Sequence, residues 1–338
     1  MTNRLIKIPL EKLMDLKVDY AFKQLFGNEK NKDITIVFLN AMLKRTGPDS
    51  IIDVIFSDKE IGGEYEEDKE SRLDILVETN AGEKINVEIQ LLNQFDMVKR
   101  SMYYWARVYS QSLQKGQGYR NLPRVITINI INFNLFKQTE LFHTTYHLYE
   151  DTEKTLLTDV MELHLIEFPK LLRDWKEGKL DPRRDILVRW LLLLGVVDGR
   201  NKKVYADIYM QLEGIAMSDE RLLQAFASWQ NLSLSQEELN AYEGRLRRIQ
   251  DEEAARAEAA QDIEEAHKQV EEAQREAKEE IQKRIEAEQK IEEAQQQINQ
   301  IKQVAIQSML AQNLTLEEIA RKLELSILEV QEIIKQSK

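Results

Sequence analysis

The sequence predicts an α/β core with a mixed central sheet between helices, then a helical region, a long coiled coil and a small C-terminal helical hairpin. Three observations predict it. Apolar residues alternate at Leu73, Ile75 and Val77 and again at Ile85, Val87 and Ile89, the period of two expected of half-buried strands. Segments with helical spacing and clear stop signals flank that pair. From Leu239 to Gln307 the chain is almost free of Gly and Pro after Gly244 and crowded with Ala, Glu, Gln, Lys and Arg, the composition of a long helix or coiled coil.

Taken in order, residues 14–46 predict two helices, an amphipathic one ending at Gly27 and a second from Lys32 to Arg45, closed by Gly47-Pro48. A strand at 51–56 leads through an acidic loop, 64–69, into a hairpin whose arms are 73–78 and 83–90. Its turn is Asn80-Ala81-Gly82. A three-residue loop with Gly82 in the left-handed conformation pairs Ile75 with Val87 and sets Asp74 opposite Glu88. A helix at 96–114, stopped at Gly116, and a strand at 124–132 complete the order helix, three strands, helix, strand. Residues 161–168 alternate as a further strand and open a largely helical stretch.

In the long segment, seams run through Ala266, Val270, Ala273 and Ala277 and again through Ile291, Ala294, Ile298, Ile301 and Ala305, with a phase break at Ile281 and Ile285. This reads as a coiled coil driving self-association, so a homo-oligomer is expected through residues 237–307; a solvated single helix is the alternative. At the end, Thr315 with Glu318 and Ser326 with Glu329 form two capping boxes. They imply two short helices meeting at Leu325, similar to a helix-turn-helix. The second holds Glu329 and Glu332, with Lys335 and Lys338 as its only cations, which suits packing or assembly at least as well as base reading. Four pieces are thus expected: 1–150, 151–236, 237–307 and 308–338.

Composition bounds the function. The 338 residues exceed one typical domain, and 43% hydrophobic content suffices for a sizeable core. The most apolar run, 187–197, is interrupted by Arg189 and is far shorter than the roughly 20 residues a bilayer requires; no signal peptide opens the chain. No membrane partner and a cytoplasmic location are therefore expected. Cysteine is absent, which excludes disulfides, a thiol nucleophile and thiolate metal sites. The net charge of −12 opposes binding to nucleic acid, but half of it lies between Glu243 and Lys302, where 17 acidic residues face 11 basic ones. Near the hairpin stand Lys99, Arg100, Arg107, Lys115, Arg120 and Arg124, enough for a local basic groove.

The second face of the hairpin carries the chemistry. Asp74 and Leu76 share it with Asn86, Glu88 and Gln90, because neighbouring strand residues point to opposite sides. Cross-strand neighbours lie about 4.5–5.5 Å apart at Cβ. Two carboxylates that close repel and raise a pKa unless a divalent cation sits between them, and a hard cation such as Mg²⁺ suits them. The alternative is the exposed polar face of an edge hairpin. His143 and His147 are four apart, but the intervening Thr144-Thr145-Tyr146 favours a strand that separates them by about 13 Å. No phosphate-binding loop, dinucleotide fingerprint or nucleophile elbow is present.

Asp74 followed by Glu88-Ile89-Gln90 resembles the metal-binding signature of the PD-(D/E)XK nuclease superfamily, with Gln90 in the usual lysine place. That ExQ variant is similar to the Rpn family of recombination-promoting nucleases and transposase-like proteins. The segment 17–27 resembles that family's opening helix and 38–43 its next one; Arg100, Tyr103, Tyr104, the segment 118–128 and the segment 164–170 continue the likeness. The resemblance runs from about residue 14 to 235 and implies a restriction-endonuclease-like core. It further implies a Mg²⁺-dependent DNA endonuclease of low sequence specificity, with Mn²⁺ as a substitute ion, linked to DNA recombination and mobility. Asp74, Glu88 and the backbone carbonyl of Ile89 would hold the metal, with Asp19 as an additional ligand; an i,i+4 pair with Lys23 is the other reading of Asp19. Gln90 carries no charge, so either the metal supplies more of the stabilisation or a nearby lysine substitutes, with Lys23 and Lys99 as the candidates. Arg100, Tyr104 and Arg107 share a helix face and are candidates, with Lys23 and Lys99, for DNA contact. The competing reading keeps the fold but loses cleavage, leaving a DNA-binding or assembly protein that works through its coiled coil.

Overall fold

The structure is a computed structural model and describes residues 5–57, 60–61, 71–93, 95–113 and 116–336. The acidic loop 64–69, Gln114, Lys115 and Lys338 lie outside the described residues. The chain divides into two compact units, Met1–Ala255 and Arg256–Lys338.

In the first unit, α1 (Asp19–Phe26) forms where Ala21, Phe22, Leu25 and Phe26 recur at helical spacing and are buried, and Gly27 caps its end. Asp19 and Lys23, four residues apart, are left on the other side of the helix. The second helix, α2 (Lys32–Met42), buries Ile34, Phe38, Leu39 and Met42. It ends where Lys44 turns to φ 54° and Gly47 to φ 62°, a conformation glycine adopts freely.

The strands are β1 (Val54–Phe56), β2 (Glu60–Ile61), β3 (Ser71–Arg72), β4 (Ile75–Thr79), β5 (Lys84–Gln90), β6 (Val125–Ile131), β7 (His143–Tyr149) and β8 (Leu156–Glu167). Six of them form one sheet in the order β1-β4-β5-β6-β8-β7, while β2 pairs with β3. The first three strands of that sheet are antiparallel neighbours, β5, β6 and β8 run parallel, and β7 closes the edge antiparallel to β8. Ile75 stands opposite Val87, and Gly82 has φ 74° in the turn. Both match the register expected from the sequence.

Two parallel neighbours require a crossover, and α3 (Met97–Gln111) makes it between β5 and β6. It lays Tyr104 and Val108 over Leu73, Leu76 and Val125. The opposite sheet face, with Ile75, Val77, Ile85, Val87, Ile126, Ile128 and Ile130, joins α1, α2 and α5 (Ile186–Leu194) in the main core. There the rings of Phe26 and Phe38 lie 4.5 Å apart between centroids. The hairpin is therefore buried on both faces: Asn86 and Thr127 are wholly enclosed beneath α3. The reading of the second face as an exposed edge fails, because β5 is central and a crossover helix covers it.

The remaining helices of this unit are α4 (Phe168–Lys176), α6 (Ala206–Ala216) and α7 (Glu220–Leu234); β9 (Val197–Asp198) and β10 (Lys203–Val204) form a small ribbon. The long helix α8 (Gln236–Ala311) begins in the first unit. Tyr242 and Ile249 are buried there, and the Asp15 amide donates to the Tyr242 hydroxyl at 3.0 Å. In the second unit the end of α8 meets α9 (Leu316–Leu323) and α10 (Ile327–Gln336) around Ile306, Ile319, Ala320 and Val330. The Thr315–Glu318 capping box is formed, and Ser326 and Glu329 exchange equivalent bonds at 2.7 and 3.2 Å. Residues 256–300 of α8 are exposed throughout. No helix among the described residues is long and apolar enough to cross a membrane.

Candidate functional site

The β4–β5 ladder closes at Ile75 opposite Val87, and one residue beyond it Asp74 leaves the strand. Its Oδ2 accepts the Ile89 amide at 2.8 Å, while the Asp74 amide donates to Glu88 Oε1 at 3.3 Å. The two acids thus lock each other in place through the backbone of the neighbouring strand. Both are only 6% exposed. Lys23 reaches in from α1, its Nζ 2.8 Å from Asp74 Oδ1.

Burial dominates the electrostatics. It lifts the Asp74 carboxyl above its ordinary value despite Lys23 and the Ile89 amide, and burial together with the Asp74 charge lifts Glu88 well above. Burial opposes the Lys23 ammonium, yet the Asp74 carboxylate outweighs it and the net shift is upward. Two dry carboxylates and one ammonium carry net negative charge, a demand for a further cation or a proton.

Gln90 ends β5 beside this pair. Its amide nitrogen donates to the Leu92 carbonyl at 3.1 Å and its oxygen accepts from Arg100 Nη1 at 3.3 Å. Arg100 also donates to the Tyr104 hydroxyl at 3.3 Å and lies 5.6 Å from that ring's centre. The uncharged amide therefore holds a guanidinium near the acids. Lys99, the residue before Arg100 on α3, is exposed and pairs with no acid among the described residues. Arg107 instead lies 5.8 Å from the Tyr103 ring, one turn further along.

These groups surround a cleft of about 860 Å³. Asp74 and Glu88 line it together with Ile89 and Gln90, Lys23 and Asp19 from α1, and Lys99, Arg100 and Tyr104 from α3. Of the residues proposed for catalysis, metal binding or DNA contact, Arg107 is absent from the lining, and so is Arg120 of the expected basic groove. The basic residue Arg124 lies elsewhere, at the opposite ends of the strands, where it joins Glu83 to Glu162.

Asp19 does not pair with Lys23 as the helical spacing allowed. Arg245 of α8 holds both its oxygens, at 2.8 and 3.0 Å. Arg245 and Arg248 line the cleft, and sequence reasoning missed both, since more than 150 residues separate them from the hairpin. The signal available was their spacing: Ala241, Arg245, Arg248 and Glu252 fall on one stripe of a helix.

Does the donor set fit a metal? Two adjacent carboxylates and a strand-end carbonyl are hard oxygen donors, suited to Mg²⁺ or Mn²⁺, and burial raises both acids although Lys23 offsets one charge. Among the described residues no cluster of three His, Asp or Glu stands ready as a cage. The fit is that of an ion held by two acids and completed from outside the chain.

A mixed sheet with a crossover helix and two acids at its strand ends defines an α/β fold of the nuclease class. The sequence model of the PD-(D/E)XK nuclease family transposases matches residues 16–259, and the chain belongs to that family. Nucleases of this superfamily generally use divalent metals. No curated protein and no solved structure matches the chain.

Proposed function

We propose that this protein is a divalent-metal-dependent DNA endonuclease that hydrolyses phosphodiester bonds with low sequence specificity and serves DNA recombination or mobility. One observation carries the reading: Asp74 and Glu88, buried side by side, form the floor of a cleft whose walls carry Lys23, Lys99, Arg100 and Arg248.

Mg²⁺ or Mn²⁺, when bound, would supply Lewis-acid charge against the scissile phosphate. Asp74, Glu88 and the Ile89 carbonyl would hold it, and Asp19 becomes available only if Arg245 releases it. Lys23 is the better substitute for the usual lysine than Lys99, since it already reaches Asp74 at 2.8 Å. With an ion held by the two acids, the Lys23 ammonium would be free to offset charge on the phosphate. Gln90 acts by holding Arg100, which brings a second cation to the same edge. Low specificity is the reading in which these guanidinium and ammonium cations contact phosphates, which carry no sequence information.

The exposed apolar residues of α8 extend the proposal. Val270, Ile281, Ile291, Ile298 and Ile301 are all open in the single chain, and a second copy laid along the helix would cover them. We assign self-association to this stretch.

The second reading, a weak or inactive nuclease fold that binds DNA and assembles, is favoured by Lys23 already filling the cation position at Asp74. Cleavage of supercoiled plasmid with Mg²⁺, Mn²⁺ or EDTA separates the two. Wild type should nick the plasmid only with metal, and folded Asp74→Ala and Glu88→Ala proteins should not. Equal behaviour of all three would leave the assembly reading standing.

A further inference from the structure

The opening turns of α8 form a second wall of the cleft. Glu238, Ala241, Arg245, Arg248 and Glu252 recur at alternating steps of three and four, so they share one helix face. That face is fixed. Glu238 accepts the Tyr20 hydroxyl at 2.5 Å, and buried Tyr242 and Ile249 anchor the same turns.

Charge along this wall is unevenly spent. Arg245 is occupied by Asp19, which cancels an acid that would otherwise repel a phosphate. Arg248 lines the cleft, is exposed, and pairs with no carboxylate among the described residues. Its neighbour Arg247 does not line the cleft and pairs with Glu243 at 3.4 Å. Glu252, one turn on, marks the acidic limit of the strip.

From α3, Lys99 and Arg100 line the same cleft. A strand whose phosphate lies over Asp74 and Glu88 brings its flanking phosphates into the cleft that both helices line. We infer that Arg248 is a backbone-phosphate contact for the bound DNA strand, with Arg245 as the positioning residue that neutralises Asp19. This rests on the nuclease reading above and adds to it a binding group supplied by the long helix.

The test is binding, not cleavage. Full-length protein is titrated against a labelled DNA duplex in EDTA at several salt concentrations, following fluorescence anisotropy. Arg248→Ala should bind about tenfold more weakly, and its log–log salt slope should fall by about 0.9, the loss of one phosphate contact. Arg248→Glu should be weaker still, and Arg247→Ala should match wild type. If wild type binds and Arg248→Ala keeps both affinity and slope, the α8 contact is overturned while DNA binding stands. If Arg247→Ala and Arg248→Ala weaken binding equally, the cleft contact is overturned in favour of general helix charge. If wild type does not bind, this inference and the DNA reading fall together.

Discussion

Asp74, Glu88 and Lys23 form a unit whose charge does not balance. Because burial raises both acids, the folded chain holds a proton there that the unfolded chain releases. Stability contributed by that proton is present at low pH and declines as pH rises from the ordinary glutamate value, 4.5, toward the raised one. In metal-free buffer Glu88→Gln should therefore melt above wild type, by about 2–4 °C per kcal/mol recovered, with a gap that widens as pH rises. A gap that narrows would mean that Glu88 is not the strained acid. Mg²⁺ should raise the wild-type melting point and leave Glu88→Gln nearly unmoved. For Lys23, the expected result is a plasmid-nicking rate lower by on the order of 10²-fold in Lys23→Met, against a small change in Lys99→Met. The reverse ranking would move the substitute cation to α3. Pairing of Asp74 with Glu88 was legible in the sequence, since alternation and turn length fix register. The choice of Lys23 over Lys99, and the part played by Arg245, were not, because ion pairing over such distances depends on how helices settle on the sheet.

Between elements, a second polar chain ties the far ends of the strands. Arg45, just beyond α2, grips Glu83 at 2.5 Å, Arg124 joins Glu83 to Glu162, and β8 places His164 Nε2 2.6 Å from Glu162. His143 of β7 completes it, its Nε2 2.8 Å from His164 Nδ1. Burial and the neighbouring His164 push His143 down to about 3. At Glu162 burial acts upward, but His164 and Arg124 outweigh it and hold the carboxyl at about 2. Both groups bind fewer protons folded than unfolded, so stability is lost as pH falls. The His143 share disappears from 6.5 down to about 3 and the Glu162 share from 4.5 down to about 2. Chemical denaturation at stepped pH should show this decline, and His143→Gln should flatten its upper part, between 6.5 and 4.5; an unchanged slope would remove His143 from the account. Strand character at 143–147 followed from Thr144 and Thr145, whereas the contact with His164 required knowing that β7 pairs with β8.

At the scale of the whole molecule, the apolar residues along the exposed part of α8 predict association. Sedimentation equilibrium of the full chain should give an oligomer, and replacing Ile291 and Ile298 by Lys should return a monomer at the same concentration. A monomeric wild type would assign α8 to a solvated single helix. The sequence by itself determined the elements whose signals are local: the hairpin and its register, the flanking helices, the long helix free of Gly and Pro after Gly244, and the capping boxes at Thr315 and Ser326. Periodicity, turn chemistry and caps act over a few residues, so a sequence displays them directly. Only the tertiary structure decided that α3 buries the second face of the hairpin, that Lys23 rather than Lys99 meets Asp74, and that the opening of α8 walls the cleft. Those outcomes depend on burial and charge pairing between distant segments, and no spacing along a single chain records which surfaces meet.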